Sequence, residues 1–240
     1  MKRMFVIAAF ILTASLSVLA QSQTREDMLK EIEAKRAELA ALEKQFLAPS
    51  AGDREVYGQF LSQPDSGLVR LLPRETYDTE VYKEKKKTLT VRGGGSYYSF
   101  TARTHEYSSM TDLGLEQGYL YAGFAGANYG MLTNVGDVPL ESVNLETPAA
   151  RFLAAHTPPS AEPDARVEQR RTSTGADFEG MVFKSRVQLL KDSTYLLRNV
   201  NYSSSDTLVA FRVVRIDTDG SAIIVWKLLK KYPVPRLARN

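Results

Sequence analysis

The chain has no cysteine among its 240 residues, two histidines and a single tryptophan. The missing cysteine excludes thiol catalysis, thiolate metal sites and disulfides together. A domain without cross-links must be held by its core or by its partners. His105 and His156 are distant from each other and sit in no ligand cluster, so spacing offers no metal site. Gly123, Gly126 and Gly130 match neither nucleotide-binding glycine pattern, and no cofactor is expected. Asp217-Thr218-Asp219-Gly220 starts like a calcium loop, but Leu228 stands where the bidentate glutamate belongs, so these residues read as a hairpin turn.

An excess of charge is also missing. The chain carries 31 basic and 28 acidic residues. Without Lys2 and Arg3 the count is 29 against 28, which gives no argument for nucleic acid. Charge is unevenly placed: Lys83, Lys85, Lys86 and Lys87 surround one glutamate, and the tail after Trp226 is basic without an acid. Such runs are expected to be solvated strand ends whose lysines blunt a sheet edge.

What is present begins with Met1-Lys2-Arg3 and an apolar run from Met4 to Ala20. A positive start, an apolar centre and Val18-Leu19-Ala20 have the form of a secretory signal, with cleavage expected after Ala20. At 17 residues the run is at the lower limit for a bilayer span, so no transmembrane segment is expected after cleavage. The short basic start fits secretion into a bacterial periplasm.

Residues 21–50 read as an amphipathic, coiled-coil-like helix. Thr24 and Asp27 form a capping arrangement. Met28, Ile32, Lys35, Leu39, Leu42 and Phe46 then recur at alternating steps of four and three, a heptad pattern interrupted by one lysine. Pro49 and Gly52 end it. The stripe needs a partner, either a second copy joined through residues 24–47 or the chain's own β domain.

Residues 51–240 are expected to form a β-rich domain. A short helix is expected over 53–61, and strands over 88–92, 96–103, 113–117 and 119–124, with a weaker one over 130–134. One or two helical turns are expected over 148–155. Residues 156–179, with Pro158, Pro159, Pro163 and many charges, read as a long exposed loop inserted between two strands of one sheet, with a protease-sensitive Arg170-Arg171. Strands over 181–190, 195–201, 207–216 and 221–229, joined by short turns, make an antiparallel meander. The last two are apolar on both faces and belong in the middle of a structure. The fold class is therefore mainly β, an antiparallel sandwich or barrel-like meander after a long N-terminal helix.

Two groups of residues bear on chemistry. His105, Glu106 and Asp112, near Ser108 and Ser109, include the residue types of a serine hydrolase, but no Gly-x-Ser-x-Gly elbow accompanies them. Residues 93–136 hold nine of the 15 glycines and six of the 12 tyrosines. Tyr97, Tyr98, Tyr107, Tyr119, Tyr121 and Tyr129 offer stacking faces with hydroxyls, the kind of surface that binds sugars or peptides. The plainer alternative is aromatic packing over strand glycines. The expected protein is an exported, envelope-associated binding or scaffold protein for an envelope protein or glycan. The alternatives are a secreted hydrolase with His105 as base, or a purely structural envelope component.

Overall fold

A computed structural model describes residues 24–78 and 89–238. The signal-like segment and the lysines at 83–87 lie outside the described residues. The chain divides between Leu39 and Ala40 into two compact units.

Helix α1 runs from Arg25 to Leu47. Its start is capped as the sequence predicts: the Asp27 amide donates to Thr24 Oγ1, and the Thr24 amide and hydroxyl donate to the Asp27 carboxylate. The pairs Glu26–Lys30 and Glu31–Lys35 follow at i,i+4. In the first unit Met28, Leu29, Ile32 and Leu39 are all exposed.

In the second unit the C-terminal end of α1 is anchored by Leu47, which is buried with Leu72 and Tyr77. Ser50 then caps α2 (Ala51–Val56) with a reciprocal bond to Asp53. The helix expected over 53–61 breaks at Tyr57, and α3 (Gly58–Leu61) is a separate turn. Strand β1 (Ser66–Leu71) and helix α4 (Arg74–Tyr77) follow. The strand expected over 88–92 is corrected where described: residues 89–92 are irregular, because Gly93, Gly94 and Gly95 all take positive φ and turn the chain, while Thr90 bonds the Glu43 carboxylate. Only Tyr97–Tyr98 (β2) of the strand expected over 96–103 joins a ladder, since the chain turns at Arg103, with φ of 53°.

Strands β3 (Leu113–Glu116), β4 (Tyr119–Tyr121) and β5 (Tyr129–Gly136) come next. Helix α5 (Pro148–Ala155) matches expectation. The loop expected over 156–179 is corrected, because Glu162–Thr174 forms helix α6. Pro163 sits in its first turn, where no amide is needed, and Gly175 closes its end. Glu162 with Arg166 and Glu168 with Arg171 lie one turn apart, and Ala165 and Thr172 are buried beneath it. The charges that suggested a loop line the solvent side of a polar helix.

Strands β6 (Ala176–Phe178) and β7 (Met181–Phe183) pair with each other, and β8 (Arg186–Gln188) joins β4. The single strand expected over 181–190 is thus two, divided where Lys184 bridges to Leu132. Of the four strands expected in the meander, β9 (Ser193–Asn201), β10 (Ser205–Ile216) and β11 (Ala222–Lys231) form it, whereas the segment over 181–190 pairs elsewhere and β5 takes the place beside β9.

The main sheet has the order β1-β11-β10-β9-β5, all antiparallel, and a second has the order β2-β3-β4-β8. The segment from 137 to 192 lies between β5 and β9, which are neighbours in the main sheet. The two-sided apolar pattern has a direct cause. Val209, Phe211 and Val213 of β10 join Trp226, Leu113, Leu115 and Leu120 in a core shared by the two sheets. Leu208 and Ala210, on the opposite face, pack in a core with Leu153 of α5 and Ala165 of α6. Arg198 crosses that second core fully buried, bonded to both Asp206 oxygens at 2.5 and 2.8 Å and to the Leu153 carbonyl at 3.0 Å. No helix among the described residues is long and apolar enough to cross a membrane.

Candidate functional site

The second sheet carries the most distinctive side-chain cluster. Tyr97 and Tyr121 both stand opposite Gly114, on the strands either side of it. A Cβ on Gly114 would lie 2.7 Å from the Tyr121 ring, so the bare backbone is what lets that ring lie on the sheet. Gly93 does the same for Tyr97: its φ is 87°, and a Cβ there would come within 2.4 Å of the ring. Tyr107 is held in place by its amide, which donates to the Arg92 carbonyl at 3.0 Å. Phe124 follows β4.

These four rings form a box. Tyr97 lies 4.7 Å from Tyr107, 5.3 Å from Phe124 and 6.1 Å from Tyr121, and Tyr121 lies 5.0 Å from Phe124, centroid to centroid. Most contacts are edge-on, and the four rings line a cavity of about 360 Å³. Two guanidinium groups flank it. Arg74 sits 5.6 Å over Tyr97 and pairs with Asp78 at 3.0 Å and Glu116 at 3.3 Å. Burial opposes its charge, but Asp78, the two tyrosines and Glu116 outweigh that and raise its pKa. Arg92 lies 5.2 Å over Tyr107 and is exposed. The Tyr121 hydroxyl is buried. Burial first, then a hydrogen bond to the Tyr97 hydroxyl, pushes its pKa far up, so it stays neutral at physiological pH.

A second cleft, of about 630 Å³, lies between the end of α1 and residues 90–106 and includes His105, Glu106 and Tyr98 in its lining. His105 Nε2 is 2.8 Å from the Arg70 carbonyl. A carbonyl only accepts, so Nε2 carries the hydrogen and Nδ1 is left as the basic nitrogen. Burial lowers the His105 pKa against the effect of that bond, which keeps the ring neutral near pH 7. Asp112 is elsewhere. It is fully buried and accepts from the Phe100 amide at 2.8 Å and from Asn199 Nδ2 at 2.9 Å. Among the described residues no hydrogen bond links His105, Glu106 and Asp112, and Glu106 is exposed.

The six tyrosines divide. Tyr97, Tyr107 and Tyr121 converge on the box. Tyr98 turns into the shared core, 5.3 Å from His105 and 6.2 Å from Trp226. Tyr119 is exposed beneath Arg186, and Tyr129 is buried with its hydroxyl 2.7 Å from His156. Sequence reasoning missed Arg74, Arg92 and Asp78, because each reaches the box from a segment outside the second sheet. Among the described residues no group of three or more acids and histidines is arranged to hold a metal ion. Comparison of the chain with protein-family models, with curated proteins and with solved structures gives no match, so function rests on this site alone.

Proposed function

We propose that this is an exported bacterial envelope protein that binds a glycan in the box formed by Tyr97, Tyr107, Tyr121 and Phe124. The carrying observation is four aromatic side chains, Tyr97, Tyr107, Tyr121 and Phe124, lining one cavity together with the guanidinium groups of Arg74 and Arg92. A sugar ring presents C–H faces that stack on aromatics and hydroxyls that accept from guanidinium groups, so it satisfies both features together. The periplasm is the compartment that the signal-like first 20 residues favour. The exposed Met28, Leu29, Ile32 and Leu39 support self-association through α1, in which two copies cover each other's stripe. The two sheets around one core fit a sandwich better than a closed barrel.

The test is a glycan array probed with the purified protein and with its Tyr107→Ala and Phe124→Ala variants. The expected result is binding to one glycan class, weakened about tenfold by each substitution, since an aromatic contact contributes about 0.5–1.5 kcal/mol. Binding to no glycan overturns the proposal and leaves a purely structural role. The runner-up, a hydrolase, has in its favour the neutral His105 at a cleft. It requires substrate turnover that disappears in His105→Ala. Light scattering with and without residues 21–50 tests assembly: a monomer in both cases contradicts it.

A further inference from the structure

Among the described residues some arginines form ion pairs and others do not; of those that do not, Arg25, Arg36, Arg151, Arg170, Arg186 and Arg236 are outside the lining of the cleft and three line it. Arg70, Arg74, Arg166, Arg171, Arg198, Arg212 and Arg215 all pair with carboxylates. Arg54, Arg92 and Arg103 form no ion pair among the described residues, and neither does Lys44; all four line the cleft beside the box. Arg103 and Arg92 are held by ring faces, 5.3 Å from Trp226 and 5.2 Å from Tyr107. Of the two acids there, Glu43 already accepts the Thr90 hydroxyl at 2.6 Å, and Glu106 is exposed. Arg92 lines both the cleft and the box, so the two cavities meet at its side chain.

We infer that the ligand is an acidic oligosaccharide, with one sugar ring in the box and the carboxylates of the following rings along the cleft cations, Arg92 first. This rests on the glycan reading above and specifies its chemistry. A guanidinium fork matches a carboxylate in two parallel hydrogen bonds, and cations outside ion pairs give up no ion pair when they bind. The box sets the register by stacking, and the cleft selects for charge. A neutral glycan would leave the cleft's four cations facing only the two carboxylates of Glu43 and Glu106. A single-stranded nucleic acid also combines stacking bases with anions, and an oligonucleotide arm in the test separates it from a glycan.

Isothermal titration of the protein with a galacturonic acid hexamer, its fully methyl-esterified form and a thymidine hexanucleotide separates the cases. The expected result is at least tenfold tighter binding of the acid than of the ester, a gap that narrows as salt rises from about 50 to about 300 mM. In Arg54→Gln/Arg92→Gln the acid and the ester are expected to bind alike. Equal binding of both by the unsubstituted protein overturns the acidic assignment while the glycan reading stands. Binding of neither overturns both. Tighter binding of the oligonucleotide overturns the inference in favour of a nucleic acid.

Discussion

Asp112 shows how much a single residue controls here. Burial pushes its carboxyl up to about 6, against the bonds from Asn199, Phe100 and Ser99 that favour the charged form. An unfolded aspartate titrates near 3.9, so between about pH 4 and 6 the folded chain holds the extra proton. This contribution is fully present below about pH 4 and is lost as pH rises through about 6. Asp53 and Asp219 have lowered pKa values, so their contributions fall away only below that window. Denaturant unfolding should show Asp112→Asn losing less stability than the unsubstituted protein between pH 4.5 and 7.5, by about 2 kcal/mol. The amide is tolerated because Asn199 Oδ1 has no partner and accepts from it once the Asn199 amide turns over. Parallel pH curves for the two proteins would contradict this. Gly114 is the second sensitive residue. Gly114→Ala should destabilise by about 1–3 kcal/mol and displace the Tyr121 ring, seen as a shift of its ring signals by NMR.

Helix α6 carries the lesson at the scale of elements. Proline and charge in 156–179 read as a loop, because the apolar stripe that betrays a helix is reduced to Ala165 and the methyl of Thr172. The charge pairs one turn apart and the proline in the first turn were visible but pointed to no packing partner. Because Arg170 and Arg171 lie inside this helix, brief trypsin treatment of the native protein should leave that dipeptide uncut. Rapid cleavage there would show that α6 opens easily. The strands β9, β10 and β11 were legible because their length, turns and two-sided apolar pattern agree. In the second sheet β3 and β4 were legible as the strands over 113–117 and 119–124, whereas β2 and β8 are short pieces of longer expected strands, since their ladder depends on contacts far apart in sequence. The box was legible by half for the same reason. Tyrosine and glycine density marked the region, but nothing local separates Tyr97 from Tyr98, which face opposite ways.

For the whole molecule, the main sheet is the common wall of two cores, one against the second sheet and one against α5 and α6. Without disulfides, stability rests on this packing. Phe211→Ala, in the middle of β10 and stacked on Tyr195, should cost about 3–5 kcal/mol by thermal or denaturant unfolding. The second sheet rests on that core by Leu113, Leu115 and Leu120 and carries Tyr97 and Tyr121 on its strands, while Tyr107 and Phe124 reach the box from loops beside it. The central claim is that Tyr97, Tyr107, Tyr121 and Phe124 receive a sugar ring. Its most direct test is the NMR spectrum of the protein titrated with the acidic hexasaccharide. The account predicts that the ring signals of those four residues move first and together, with Tyr119 and Tyr129 unchanged. Shifts confined to other parts of the protein, or none at saturating ligand, would contradict it.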